Sequence, residues 1–452
     1  MKIIIVGCGR IGTAMLSNLV NEGHEVLAID SDPATITELT NIYDVMCICG
    51  NGADSDILKE AGVEDCEMFA AVTASDELNM LACFFAKKMG AKNTIARIRN
   101  PEYNDKSLSF MRQQLELSMS INPESLCAKE LFNILKLPGA MNIETFSRRS
   151  FEMIEIKLRE NSAFADKTLS ELRQKYKAKF LICVVSRGKE VYIPDGNFVL
   201  RSGDRIGMAA TAAEGEKLFK MLGLMRKRTK NVMIVGANRT SYYLAKMLVN
   251  IGANVKVIDK DHDRCVTFSE QLPEAVVIEG DPASREVLLE EGLNSMDSFV
   301  SLTGMDEENI LLSIFASSKN VPQIITKINR PELCQMALNL GLDSIVSPRK
   351  IISDRLCQYA RALEMSIGAE METLYTLMDE KAEALEFIVR NDFEYLDIPL
   401  KDLKLRHNTL IAGIIRGRKT IIPSGMDVIL PDDHVIVIAA GRRITSLGDV
   451  FE

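Results

Sequence analysis

The chain has 452 residues, 47% of them hydrophobic, and a formal net charge of -9. That length suggests roughly two to four domains of about 100–200 residues each, with enough apolar mass for sizeable cores. The acidic balance argues against general affinity for nucleic acid or anionic lipid. The opening run, Met1 to Gly7, reads as a strand rather than a signal peptide, and no window approaches the roughly 20 apolar residues that cross a bilayer. A cytoplasmic protein is expected, any membrane role being peripheral.

From residue 1 to about 121, β-branched runs alternate with helical stretches. Candidate strands are 2–6, 26–29, 45–48, 69–72, 95–98 and 118–121. Strands alternating with helices imply βαβ crossovers and a doubly wound parallel sheet. Between the first strand and a helix ending at Asn21 stands Gly7-Cys8-Gly9-Arg10-Ile11-Gly12, a G-x-G-x-x-G in its required context. Gly7 supplies the tight turn, Gly9 lets a pyrophosphate approach the backbone, and Gly12 lets the helix pack on the strand. The helix start offers N–H donors and partial positive charge to phosphates. Asp30, ending the second strand, can accept from both ribose hydroxyls of an adenosine and disfavours a 2′-phosphate. Loop and acid do not separate NAD from ATP or ADP; Arg10 adds charge for a further phosphate. Ser75-Asp76-Glu77 reads as a helix start with Ser75 as N-cap.

Residues 122–142 read as a helix ending near Leu137-Pro138-Gly139, either an ordinary surface helix or an arm that packs on another subunit. From about 143 to 220 the pattern turns β-rich, with strands near 153–158, 181–185 and 191–196, and predicts a small α+β subdomain. The basic run Arg226-Lys227-Arg228 reads as a linker.

The chain then repeats itself at an offset of 229 to 230. Val6-Gly7 matches Val235-Gly236, Asp30 matches Asp259, Asp76 and Asn79 match Asp306 and Asn309, Arg97 matches Lys327, Pro101-Glu102 matches Pro331-Glu332, and Tyr192-Ile193-Pro194 resembles Ile421-Ile422-Pro423. Near the arms the offset shrinks to 225, where Pro123 matches Pro348. Four units are expected: residues 1–140 and 229–368, two tandem Rossmann-like sheets, each followed by a small α+β subdomain, 141–226 and 369–452. The second loop, Gly236-Ala237-Asn238-Arg239-Thr240-Ser241, is degenerate. Asn238 tolerates the left-handed region but fills space a pyrophosphate would need. With Asp259 retained, a second pocket with altered, weak or absent nucleotide binding is expected.

Tyr242-x-x-x-Lys246 matches the tyrosine–lysine pair of short-chain dehydrogenases, but lies on the first helix of its unit rather than a later one. With no nucleophile elbow or Walker lysine, a binding module fits better than an enzyme. Ten cysteines and four histidines show no CxxC and no zinc-ligand spacing, so reduced thiols and no metal site are expected.

Gly7 to Gly12, Asp30, Gly50-Asn51-Gly52-Ala53, Ala71 to Glu77 with Asn79, and Arg97-Ile98-Arg99 together resemble the TrkA family, the tandem RCK (KTN) peripheral subunits of Trk-type potassium uptake systems. The resemblance spans the whole chain. It implies a regulator that binds NAD(H) and/or ATP/ADP, assembles as a homo-oligomer from dimer to tetrameric ring, and gates a membrane potassium-channel subunit of the TrkH or TrkG type. By carry-over, Gly7 to Gly12 hold phosphates, Asp30 the ribose, with Ser31 a further cofactor-binding position, and Gly52, Ala53 and Asp54 lie beside the adenine. Thr73 and Ala74 then line the fourth strand's end and Arg97 reaches the ligand. The arms near 124–136 and 349–363 would build the ring. In the second unit the matching positions are Gly236, Ala237, Asn238, Arg239 and Asp259. A regulator of another cation transporter, and a dehydrogenase, are the rival readings.

Overall fold

The computed structural model describes residues 1–100, 103, 105–136, 142–146, 151–158, 162–176, 180–221, 229–342, 344–365, 371–378, 381–442, 444 and 446–452. Pro101-Glu102, Leu137-Pro138-Gly139, the basic run 226–228 and the boundaries expected near 140, 226 and 368 lie outside them.

The first unit runs β1 (Lys2–Val6), α1 (Arg10–Asn21), β2 (Glu25–Asp30), α2 (Pro33–Ile42), β3 (Met46–Cys49), α3 (Ser55–Glu60), β4 (Met68–Ala71), α4 (Asp76–Lys88), β5 (Asn93–Arg97), α5 (Asp105–Gln114) and β6 (Met119–Ile121). Its sheet has the order β3-β2-β1-β4-β5-β6, all parallel. The order reverses between β1 and β4, so the crevice beyond their carboxyl ends lies at a topological switch point, where open α/β sheets bind ligands. β1 is apolar from Ile3 to Val6 because helices cover both faces of the sheet; Ile3, Ile4 and Ile5 are fully buried.

The helix α6 (Pro123–Lys136) leads into a small antiparallel unit: β7 (Asn142–Phe146), β8 (Phe151–Lys157), α7 (Leu169–Tyr176), β9 (Phe180–Arg187), β10 (Glu190–Tyr192), β11 (Arg205–Ala210) and α8 (Ala212–Met221). The sheet order is β10-β9-β11-β8-β7. The second half repeats the first: β12 (Asn231–Val235), α9 (Arg239–Asn250), β13 (Asn254–Asp259), α10 (His262–Gln271), β14 (Val276–Glu279), α11 (Arg285–Glu290), β15 (Ser298–Ser301), α12 (Asp306–Ser318), β16 (Gln323–Lys327), α13 (Pro331–Asn339) and β17 (Ile345–Val346) form the parallel sheet. Its order, β14-β13-β12-β15-β16-β17, is that of the first sheet. Then come α14 (Pro348–Met365) and the strands β18 (Met371–Leu377), β19 (Ala382–Ile388), β20 (Thr409–Arg416), β21 (Lys419–Ile421) and β22 (His434–Ala440), ordered β18-β19-β22-β20-β21. The α/β class with two tandem Rossmann-like sheets and two small antiparallel units is therefore observed.

The two halves exchange helices. Leu131, Ile134 and Leu135 of α6 join the core formed by Val232, Ile234 and Leu244 of the second half. Reciprocally, Ile352 and Leu356 of α14 are buried with Ile3, Ile5, Met15 and Leu16 of the first. Each such aliphatic side chain stabilises by roughly 1.5–3 kcal/mol when fully buried. Polar contacts fix the register: Gln323 Nε2 donates to Ile134 O at 2.7 Å, and Asn18 Nδ2 to Ser353 Oγ at 2.9 Å. Arg361 of α14 bridges Glu22 of the first half at 2.8 Å and Glu383 of β19 at 2.6 Å. The two arms, α6 and α14, thus pack within the chain. Their apolar stripes are covered by the sister half of the same chain, because an apolar helix face must be buried against some element and the duplication supplies one nearby.

The small units also pack on each other. Phe151 of β8 lies so close to Gly413 of β20 that a Cβ there would meet its ring at 2.3 Å. Phe146, Phe151 and Met153 share one core with Leu377, Ala384 and Ile436.

Candidate functional site

The loop after β1 is built by its glycines. Gly7 has φ +90°, and a Cβ there would meet Thr73 N at 2.7 Å, so only glycine makes this turn so close to the end of β4. Two residues on, a Cβ at Gly9 would meet nothing within 4 Å: the space above the loop is open. Gly9 is also the N-cap of α1; no side chain caps the helix, and its first turn carries no acid. The first N–H groups of a helix have no intrahelical partner. Here they face open space at the positive end of the helix dipole, an arrangement suited to phosphate.

Asp30 stands beside this loop. One carboxylate oxygen accepts Cys8 N–H at 2.6 Å and the other Asp32 N–H at 2.9 Å. A carboxylate has about four acceptor positions, so capacity remains for ribose hydroxyls. The opposite wall is fixed by two side chains of α4. Asn79 Oδ1 accepts from Thr73 N at 2.8 Å and Thr73 Oγ1 at 2.7 Å, while its Nδ2 donates to Arg97 O at 2.9 Å. Asp76 accepts the backbone N–H groups of Arg99 and Asn100, both at 2.8 Å. Together they tie the tips of β4 and β5. Ser75 caps α4 as expected, accepting Leu78 N–H at 3.1 Å; the neighbouring Asp76 is a buried cross-link as well as a helix-start acid.

These elements wall a cleft of about 1050 Å³. Of the predicted positions, Gly7, Gly9, Arg10, Ile11, Asp30, Ser31, Gly52, Thr73, Ala74 and Arg97 line it. Cys8 and Gly12 are buried behind the loop; burial, with Asp30 beside it, pushes the Cys8 thiol up to about 12, so it is inert. Ala53 packs toward the core, and Asp54 caps α3 by accepting Asp56 N–H at 2.8 Å. Both follow directly on Gly52 of the cleft wall.

What the sequence reading missed is the far wall. Thr240, Gly304, Lys327, Asn329, Pro348, Arg349 and Ile352, all from the second half, line the same cleft, with Pro123 and Glu124 from the start of α6. Arg97 lies 3.7 Å from Glu124, and its guanidinium pKa is lowered by burial and by neighbouring Arg99. The only sequence signal for this wall was the shrunken offset at Pro123 and Pro348.

The second loop has the same backbone plan with its opening filled. Asn238 caps α9: its Oδ1 accepts Ser241 N–H at 3.1 Å, and its Nδ2 donates to Leu302 O at 2.7 Å. Ser241 Oγ bonds Gly236 O. Asp259, which accepts Ala237 N–H at 2.6 Å, is buried, and so is Ala237; Arg239 is exposed. None of Gly236, Ala237, Asn238, Arg239 and Asp259 is brought to the cleft described above. Tyr242 packs between Tyr243 and Phe268 in the second core, with Lys246 Nζ 5.7 Å from its ring centre. It too is absent from the cleft wall.

A parallel sheet with a glycine loop and an acid at the end of its second strand, duplicated and followed each time by an antiparallel unit, defines a tandem Rossmann-type ligand-binding class. The TrkA-N domain model matches residues 3–112 and 232–348, and the TrkA-C domain model matches 153–223 and 384–451. The chain belongs to the TrkA family. It is 31% identical over 451 residues to the Trk system potassium uptake protein TrkA homolog of Archaeoglobus fulgidus, covering 100% of both chains. It is 28% identical to the Trk system potassium uptake protein TrkA of Vibrio alginolyticus, over 99% of this chain and 97% of that one. Among solved structures the GsuK RCK domain is similar, with a TM-score of 0.66 at 16% identity, over 97% of this chain and 92% of that one. The GsuK channel bound to NAD gives 0.65 at 16% identity, over 97% and 77%. At that identity the likeness is one of fold.

Proposed function

We propose that this chain is a nucleotide-sensing regulatory subunit of a potassium uptake system, binding NAD(H) and/or ATP/ADP in the first half and controlling flux through a membrane channel subunit of the TrkH or TrkG type. The observation that carries the reading is the uncapped start of α1: Gly9 leaves the space above the first N–H groups open, and Asp30 stands beside it. Family membership and the names of full-length relatives support the potassium-uptake role.

The cleft also suggests how binding becomes a signal. Its walls belong to different halves, so ligand affinity depends on how the halves sit. A ligand shifts a conformational equilibrium only by its differential affinity for the two states. Nothing in the cleft resembles an acid–base pair poised for hydride transfer, since Tyr242 and Lys246 are elsewhere, and a binding role fits better than catalysis. No helix among the described residues is long and apolar enough to cross a membrane; the proposed location is the cytoplasmic face, through the channel partner. Oligomerisation into a dimer or tetrameric ring belongs to the same proposal.

The test is calorimetric titration of the full chain with ATP, ADP, NAD and NADH, beside Asp30→Ala. Binding of at least one, weakened roughly 10-fold or more in the variant, is expected from losing charge-assisted hydrogen bonds. No binding of any would overturn the reading. For the channel role, potassium flux in vesicles carrying the partner subunit must respond to the bound nucleotide and lose that response in the variant.

A further inference from the structure

We infer that the second half of the chain, through Lys327 and Arg349, seats the outermost phosphates of an adenine nucleoside polyphosphate whose adenosine and inner phosphate are held by the first half. The inference rests on the nucleotide-binding reading above and adds a specificity to it: triphosphate over monophosphate.

The first half accounts for only part of the cleft. The loop from Gly7 to Gly12 and the carboxylate of Asp30 suit a ribose and the phosphates next to it. The cleft of about 1050 Å³ continues past them to the second half. Pockets of roughly 300–1,000 Å³ hold drug-sized ligands, so this one has room for a polyphosphate tail beyond the adenosine.

The far wall presents cations that make no ion pair among the described residues. Lys327 ends β16, and its Nζ donates to Leu302 O at 3.2 Å. Burial lowers its pKa; Cys127 and the Asp306 carboxylate oppose that shift, and Arg10, a like charge from the other half, adds to it. Arg349, in the first turn of α14, donates from Nε to Arg10 O at 3.2 Å, which fixes its guanidinium at the outer edge of the phosphate loop. Among the described residues no carboxylate lies within ion-pair distance of Arg10, Lys327 or Arg349, whereas Arg97 nearby does have one in Glu124. Three cations from two halves thus converge on one cavity. Partly desolvated like charges repel with several times their strength in water. A chain of phosphates between them converts that repulsion into charge-assisted hydrogen bonds, for which a guanidinium is well shaped.

Arg349 stands at the offset of 225 from Glu124. Both line the cleft; Glu124 is paired with Arg97 at 3.7 Å, whereas Arg349 has no carboxylate at ion-pair distance among the described residues.

The experiment uses the full chain, Arg349→Gln, Lys327→Gln and Arg349→Lys, each titrated with ATP and with AMP. In the wild type ATP is expected to bind more tightly than AMP. Each glutamine variant should weaken ATP by roughly 10-fold, the worth of one charge-assisted hydrogen bond, with AMP affinity unchanged. Retained AMP binding also shows that each variant is folded. Arg349→Lys should recover part of the loss. ATP binding that is unaffected in both glutamine variants, or that falls only in step with AMP, overturns the inference and leaves the first-half site standing. Absence of ATP and AMP binding in the wild type overturns the nucleotide reading itself, and unchanged affinity in Asp30→Ala overturns the placement of the ribose, outcomes distinct from those of the Lys327 and Arg349 variants.

Discussion

The two glycine-loop regions of this chain started from one plan and now differ in a single functional respect: what satisfies the first N–H groups of the following helix. In the first, Gly9 provides no side chain and the groups face open space. In the second, Asn238 caps the helix and reaches across to Leu302 O. The acid on the neighbouring strand is kept in both, bonded to the second N–H of its loop at 2.6 Å. An aspartate at the end of the second strand is therefore no evidence of ligand binding by itself. It holds the loop whether or not the loop holds anything. The crossover helices diverge in the same sense: Glu124, Lys129 and Glu130 of α6 correspond, at the offset of 225, to Arg349, Asp354 and Arg355 of α14, each with its charge inverted.

That contrast can be broken most directly at Gly9. Gly9→Asp leaves the fold intact, because a Cβ there meets nothing within 4 Å, and places a carboxylate where the phosphate belongs. Adenine-nucleotide affinity measured by calorimetry should fall by about 100-fold or more, the cost of replacing charge-assisted bonds with repulsion. If such binding survived, the loop would be structural in both halves and the contrast would mean nothing.

The second expected effect is a dissociation of stability from binding. Asp259→Ala leaves Ala237 N–H buried without its acceptor, at a cost of roughly 1–3 kcal/mol in chemical denaturation. Nucleotide binding by the first half should not change. A variant that lost binding without losing stability would show that the second loop is occupied after all.

A third test compares the crossover helices by pH. Burial pushes the Glu130 carboxyl up to about 7 from an ordinary 4.5. The folded chain therefore holds this proton where the unfolded chain has released it. Stability from this group is present at low pH and is lost as pH rises from about 4.5 through 7. Glu130→Gln, which stays neutral, should be more stable than the parent by on the order of 1 kcal/mol above pH 7, with the difference vanishing near pH 4. A pH-independent difference would place the effect in packing rather than charge.

The smallest effect is expected at the cap. Asn238→Gly should cost only a few tenths of a kcal/mol, as asparagine-to-glycine changes at N-caps do, while uncovering the second loop. Binding stoichiometry in the variant then shows whether the cap alone closes that loop. One nucleotide per chain, as in the parent, would assign the closure to Ser241 as well.

Much of this was written in the chain. The β-branched runs, their spacing and the glycine loop named the sheet, the site and the duplication, because period and turn chemistry are local properties. The replacement of Gly9 by Asn238 in the repeat was legible too, since one residue's bulk decides it. The tertiary structure alone decided three things. It turned the arms inward onto the sister half, since a helical stripe records that a face must be buried but not by which surface. It gave Asp54 a helix-capping bond, since capping and ligand contact draw on the same residue types. And it brought Lys327 and Arg349 into a cleft whose loop lies more than three hundred residues earlier, because which charges share a cavity depends on how two sheets dock.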